Sequence, residues 1–264
     1  MGIRVLVSGS GQMGREVLAA VCREEGLDPV GVVDLFAKGD SVPLPDGSGA
    51  VPFGADAIGI IKETRPDLAI DFTNAEWTPR LADAALPAGV RLVIGTTGLA
   101  DAFLKSLEEE CRRLKLGAVV APNFAIGGVL MQHISALAAR YYDHAEIIEL
   151  HHDGKADAPS GTSIATARGM AARRDRPFVR PPTEKETLPG TRGAEVEGIT
   201  IHSVRLPGLV AHQEVIFGGT GETLRIRHDS TGRESFMPGV ILAIHHVMKH
   251  AGLVVGLEQL IDLK

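Results

Sequence analysis

Residues 4–14 read RVLVSGSGQMG, and their interpretation decides the fold. Arg4–Ser8 is a short β-branched run, and Gly9-Ser10-Gly11-Gln12-Met13-Gly14 follows as a G-x-G-x-x-G that leads into helical periodicity from Met13. Glycines at these positions permit a tight turn and close backbone approach, and the helix start offers free N–H groups and a positive dipole to a pyrophosphate. A tight strand–helix turn with no ligand carries the same letters. The context favours a dinucleotide, because Asp34 ends the next strand-like run twenty residues after Gly14, where a carboxylate can bind ribose hydroxyls. Gly9, Gly11, Gln12, Met13, Gly14 and Asp34 are therefore candidate cofactor contacts.

Working outward, short β-branched runs alternate with helical patterns through the first half. Strands are expected at Arg4–Ser8, Val30–Asp34, Leu68–Phe72, Arg91–Gly95 and Ala118–Ala121, with helices at Met13–Glu25, Ala55–Glu63, Thr78–Leu86 and Leu99–Leu116. That is the rhythm of an α/β, doubly wound Rossmann-type parallel sheet. After Pro122 the rhythm changes. An amphipathic run from Gly127 to Tyr142 leads to a strand at Glu146–Leu150, a helix should follow Ser160, and strand-like runs lie at Ile199–Val204, Ala211–Phe217 and Thr223–His228. Short glycine-containing turns between these runs predict a second, α+β domain with a mainly antiparallel sheet. The expected division is 1–126 for dinucleotide binding and 127–235 for substrate binding and oligomerisation, with 236–264 returning to the first domain.

Composition narrows the classes. The chain has 264 residues, 44% hydrophobic and 23% charged, so a sizeable core is expected. A net charge of −6 supplies no basic field for nucleic acid. Neither a signal-peptide pattern nor a membrane-length apolar run is visible, so no membrane partner and a cytoplasmic location are expected. Cys22 and Cys111 sit in charged helical patterns without a CxxC, which suggests neither disulfide nor zinc.

Ligands of open α/β sheets sit beyond the strands' carboxyl ends. There Asp71-Phe72-Thr73 and Gly95-Thr96-Thr97-Gly98 place small polar groups that suit a cofactor's ribose and nicotinamide. Asp71 reads equally well as a helix cap. Asp34 should repel a 2′-phosphate, and Leu35-Phe36 offer no compensating arginine, so NADH is favoured. Lys38 stands within reach of a phosphate, which keeps NADPH possible.

The most polar stretch, HHDGKADAPSGT at 151–162, follows directly on the strand at Glu146–Leu150. Histidine titrates near neutrality and acts as general acid or base. Lys155 adds a cation, and Ser160-Gly161-Thr162 opens a helix whose N-terminus suits a carboxylate. Adjacent histidines alternate across a strand and lack a third ligand at suitable spacing, so no metal is expected. These residues alone point to a nicotinamide-dependent reductase of an anionic small molecule.

Six stretches carry a closer likeness: Gln12-Met13-Gly14-Arg15, Asp71-Phe72-Thr73, Ile94-Gly95-Thr96-Thr97-Gly98, Ala121-Pro122-Asn123-Phe124, Glu149 through Thr162, and Arg227-His228-Asp229-Ser230. Together they resemble the bacterial dihydrodipicolinate reductases, also called 4-hydroxy-tetrahydrodipicolinate reductases, over essentially the full length. The resemblance implies reduction of a cyclic imine dicarboxylate by NADH or NADPH in the diaminopimelate branch of lysine biosynthesis. It makes His151 the proton donor and Lys155 the partner that stabilises or protonates the substrate, and it assigns a substrate carboxylate to His152, Ser160, Gly161 and Thr162, with Arg233 as a further contact. Phe72, Gly95, Thr96, Thr97, Ala121, Asn123 and Phe124 fall on the cofactor side. A homotetramer built through the second domain's sheet is also implied, as is hinge closure.

Two departures stand out. The glycine turn is one residue shorter than the family's usual G-x-x-G-R-M-G and has Gln12 where a basic residue often stands, which again favours NADH. Asp153-Gly154 replaces a common basic residue in the histidine loop. That softer loop leaves room for a reductase of other cyclic imines. A non-catalytic nucleotide sensor is a third reading, against which His151 and Lys155 argue, since a sensor needs no proton donor.

Overall fold

The protein is described by a computed structural model covering residues 2–261 and 263. The chain divides into two compact units, one running to Ile126 and resuming at Arg233, the other spanning Gly127–Gly232. Of the segment 236–264 expected to rejoin the first unit, positions 262 and 264 lie outside the described residues, as does position 1.

In the first unit, β1 (Ile3–Ser8) runs through the Gly-rich turn into α1 (Gln12–Arg23), and β2 (Leu27–Val33) follows. Two short strands come next, β3 (Ser41–Pro43) and β4 (Ala50–Gly54), in a region where the sequence showed no clear pattern. The alternation then continues with α2 (Ala57–Thr64), β5 (Leu68–Asp71), α3 (Trp77–Ala85), β6 (Arg91–Ile94), α4 (Asp101–Leu114) and β7 (Gly117–Val120).

The second unit opens on α5 (Ile126–Ala138) and contains β8 (His144–His151), α6 (Gly161–Ala171), β9 (Ala194–Val196), β10 (Ile199–Arg205), β11 (Ala211–Gly219) and β12 (Glu222–Ser230). The chain then returns to the first unit as α7 (Met237–Lys249) and β13 (Gly252–Val255).

The first sheet has the order β13-β7-β6-β5-β1-β2-β4-β3 and is parallel except for the β3–β4 pair. Its strands are near-continuous apolar runs because helices cover both faces; Leu68, Ala69, Ile70 and Asp71 of β5 are all buried. Helix α1 buries Val17, Leu18, Ala20 and Val21 on one stripe, as its 3.6-residue periodicity requires. Helix α7 packs on β6 and β7, and it lies so close to the segment after β7 that a methyl on Gly239 would overlap the Phe124 carbonyl.

The second sheet has the order β12-β11-β8-β10-β9. Three of its pairings are antiparallel, but β8 and β10 run parallel, with Ser203 beside Glu149 and Arg205 beside His151. One face carries a core of Ile147, Phe178, Ile199, Ile201, Val215 and Phe217 together with Ala167 and Met170 of α6. Among the described residues no helix is long and apolar enough to cross a membrane, and both cysteines are free.

Candidate active site

The Gly-rich turn has the geometry its letters suggest. Gly9 adopts φ +97°, a region open chiefly to glycine, and a methyl on Gly14 would overlap the Gly9 carbonyl. Gly11 begins α1 with no side-chain cap, so the first-turn N–H groups stay available for an anion. Gly11 and Gln12 are exposed and Met13 is half-buried. A cavity of about 160 Å³ adjoins the turn, lined by Gly9, Ser10, Gly14, Arg15, Val42 and Phe53. Two of its walls come from β3 and β4, the strands that sequence patterning missed.

Asp34, one residue beyond β2, is tied to this turn. Its Oδ2 accepts the Ser10 amide at 2.6 Å and the Ser10 hydroxyl at 2.7 Å, while Oδ1 accepts the Phe36 amide at 2.9 Å. Burial pushes its carboxyl up, but the hydrogen bonds from Ser10 and Phe36 outweigh that and hold it below the usual carboxylate value. An uncapped helix start, a glycine cradle that any Cβ would fill and an ionised acid at the second strand's end together fit a dinucleotide.

At the neighbouring strand ends, Phe72 lies so close over Gly95 that a methyl there would overlap its ring. Phe72 also meets Phe124 with ring centroids 5.4 Å apart. The structure thus groups Phe72, Gly95 and Phe124, with Ala121 fully buried and Thr97 exposed. Asn123 uses its side-chain oxygen on the Ala125 amide at 2.9 Å, ahead of α5.

Asp71 is neither a cap nor a surface group. Fully buried, it accepts hydroxyls from Ser8 at 2.7 Å, Thr73 at 2.8 Å, Thr78 at 2.5 Å and Thr96 at 2.9 Å. The hydroxyl of Thr96, expected to face the cofactor, is engaged in this network, which pins the ends of β1, β5 and β6 to α3.

In the second unit, the polar stretch is organised by two residues that the sequence reading did not single out. Glu149 lies two positions before His151 on β8, hence on the same face, and is fully buried. Its Oε2 accepts from His151 Nδ1 at 2.5 Å, and its Oε1 accepts the Ser160 amide at 3.2 Å. Arg205 of β10 grips both oxygens, Nη1 to Oε2 and Nη2 to Oε1, each at 2.9 Å. Burial alone would raise the Glu149 carboxyl, but hydrogen bonds from Arg205, Ser203 and His151 bring it below the ordinary value, so it is ionised. An ionised carboxylate only accepts, so His151 must carry a proton on Nδ1. Burial lowers the His151 pKa, and the opposing pull of Glu149 does not restore it because Lys155 and Arg205 add to the lowering.

His152 is exposed, and Lys155 donates from its backbone to the His152 carbonyl at 3.2 Å and from Nζ to Asp157 at 2.7 Å. Ser160 departs from expectation: its buried hydroxyl accepts the Ser163 amide as the cap of α6, so it is held within the helix turn. The amides of Gly161 and Thr162 open α6 and have no intrahelical acceptor. Arg233, expected in the second lobe, starts a short 3₁₀ turn and groups with the first unit. Among the described residues no group of three or more His, Cys, Asp or Glu is placed to hold a metal ion.

A glycine-turn α/β unit joined to a second unit that carries a carboxylate-bound imidazole defines a dinucleotide-dependent oxidoreductase. Family models describing the N-terminus and C-terminus of dihydrodipicolinate reductase match residues 3–124 and 127–261. The chain belongs to the dihydrodipicolinate reductase family. It is 48% identical over 262 residues to the 4-hydroxy-tetrahydrodipicolinate reductase of Dehalococcoides mccartyi (strain ATCC BAA-2266 / KCTC 15142 / 195), covering 99% of both chains. It is also 48% identical to that of Geobacillus thermodenitrificans, covering 99% of this chain and 100% of the relative. A solved dihydrodipicolinate reductase from Paenisporosarcina sp. TG-14, with dipicolinate bound, superimposes with a TM-score of 0.88 at 44% identity, covering 99% of this chain and 100% of that one.

Proposed function

We propose that this protein reduces 4-hydroxy-tetrahydrodipicolinate to tetrahydrodipicolinate in the diaminopimelate route to lysine, with His151 as proton donor. The observation that carries the reading is the buried Glu149–His151 contact, which commits Nδ1 to the carboxylate and leaves Nε2 as the nitrogen available for proton transfer. When bound, the reduced nicotinamide supplies the hydride. Loss of the 4-hydroxyl as water conjugates the substrate; negative charge builds on it as it is reduced, and His151 quenches that charge by giving up its Nε2 proton. The imidazole of the free protein resists protonation, and a dianionic substrate beside it favours the imidazolium. Lys155 and the α6 amides of Gly161 and Thr162 hold the carboxylates, with His152 at their side and Arg233 as an additional cation. Ser160 serves by shaping the helix start.

Gly9, Gly11, Gln12, Met13 and Gly14 cradle the pyrophosphate, Asp34 takes the ribose hydroxyls, and Phe72, Gly95, Thr97, Ala121 and Phe124 adjoin the nicotinamide end. An ionised Asp34 opposes a 2′-phosphate, so NADH is the favoured cofactor and NADPH the weaker one. The enzyme works in the cytoplasm as a homotetramer. In support, the sheet face opposite the core carries half-exposed Ile148, Leu150, Val204 and Ile216. The test is loss of nicotinamide absorbance when protein and NADH meet freshly made condensate of pyruvate and aspartate semialdehyde. Cofactor binding without turnover would overturn the assignment.

A further inference from the structure

Arg205 lies on a different strand from the histidine loop, yet three of its four contacts reach that loop and the end of the strand before it. Besides both oxygens of Glu149, its guanidinium donates to the Val204 carbonyl at 2.7 Å and to the Asp157 carbonyl at 2.6 Å. The parallel register of β10 on β8 sets Arg205 directly beside His151, and its side chain is only 19% exposed. A planar fork on a buried carboxylate fixes orientation as well as charge, which a lysine cannot reproduce.

We propose that Arg205 is a positioning residue of the reduction: by gripping both oxygens of Glu149 it holds His151 as the Nδ1-protonated tautomer and reserves Nε2 for the proton that follows the hydride. Were Glu149 free to rotate, either imidazole nitrogen would serve as its donor, and half of the orientations would misplace the acid. The pairing also offsets part of the Glu149 charge, so the imidazole stays responsive to the incoming dianion. The charged groups facing His151 are Glu149 on its own strand, Arg205 on β10 and Lys155 in the loop, the last paired with Asp157; across on β11 stands uncharged Ala211. In the reaction, loss of the 4-hydroxyl together with a C3 proton as water leaves a conjugated dihydro dicarboxylate; the hydride's electron pair then forms the new C–H bond at C4, the displaced π pair takes the Nε2 proton, and a neutral imidazole remains bonded to Glu149 through Nδ1–H. The cofactor leaves oxidised and solvent restores the proton.

The proposal rests on His151 being the donor, and the experiment separates the two claims. Long-range ¹H–¹⁵N spectra of the cofactor-free protein labelled at its histidine nitrogens, with His151 assigned by its absence from H151Q, should show a single Nδ1–H tautomer. In R205Q the uncompensated Glu149 should raise the His151 titration midpoint by about one pH unit or more. Turnover should fall about tenfold, a part of the ~10²–10⁴ that a positioned acid contributes, with KM changed far less. R205K keeps the charge without the fork and should show both tautomers and a similar fall in kcat; it decides the matter if R205Q does not fold. Folded variants with the wild-type tautomer, midpoint and kcat, alongside an inactive H151Q, would overturn the role of Arg205 while leaving the donor in place. An active H151Q would overturn the donor, and the proposal with it.

Discussion

Asp34 and Ser10 are joined twice, since one carboxylate oxygen accepts both the amide and the hydroxyl of the serine, at 2.6 and 2.7 Å. The acid is thereby ionised and fixed over the mouth of the glycine turn before any cofactor arrives. Asp34→Ala should weaken NADH about tenfold, the worth of one charged hydrogen bond. NADPH should lose much less, because removal of the carboxylate also removes its repulsion. Comparing kcat/KM for the two cofactors checks this, and an unchanged ratio would refute the electrostatic account.

Gly14→Ala places a methyl against the Gly9 carbonyl; the methyl has no rotamer to relieve the overlap, and the carbonyl is backbone that cannot swing aside. The strand–helix junction must open, at a cost of about 1–3 kcal/mol. Denaturant unfolding should report that loss, and fluorescence titration should show cofactor binding impaired. Normal binding in the variant would mean that the turn relaxes freely.

Lys155 donates to Asp157 at 2.7 Å across a partly exposed surface, Asp157 being 57% exposed. A substrate carboxylate must compete with that partner. Asp157→Asn should therefore lower KM for substrate by no more than about fivefold, the scale of an exposed ion pair, with kcat nearly unchanged. A rise in KM would show instead that Asp157 orients the ammonium. The Asp157 contact to Arg205 runs through its backbone carbonyl and survives the change.

Acid should weaken the fold in two stages. Burial lowers His151 and His228 from their ordinary 6.5, so the unfolded chain binds those protons first and stability declines as pH falls below about 6.5. Glu149 and Glu146 lie below their ordinary 4.5 in the folded protein; their contribution is present above that value and is lost as pH falls through the folded one. Chemical denaturation between pH 8 and roughly 3 should show both declines. A fold that gains stability between pH 7 and 6 would contradict the first.

Legibility in the sequence followed the strength of local pattern. The five central strands of the first sheet carry short apolar runs rich in Val, Leu and Ile and were plain. SVP at 41–43 and AVPFG at 50–54 hid because they are short and hold prolines, residues disfavoured within a sheet; the first is the edge strand and the second lies next to it. The parallel pairing of β8 with β10 was equally hidden, because the turn near 208 suggests a hairpin between β10 and β11, whereas those strands flank β8 and only the turn near 220 closes a hairpin. Asp71 looked like a cap or a ligand contact, and only the adjacency of β1, β5 and β6 makes it a buried acceptor for four hydroxyls. For Glu149 a signal did exist. It shares a strand face with Ala145 and Ile147, both buried, and a charge in such a position demands a partner. That partner, Arg205, is 56 residues away, beyond the reach of spacing arguments.

The chain leaves its first unit at Ile126 and comes back only at Arg233, so α7 and β13 are made only after the whole second unit. On the ribosome, the first unit is consequently begun before the second and completed after it. The continuous middle segment can collapse while the nucleotide-binding layer still lacks its closing helix and edge strand. Until those emerge, β7 presents a bare rim, a window in which the nascent enzyme depends on chaperones or on speed.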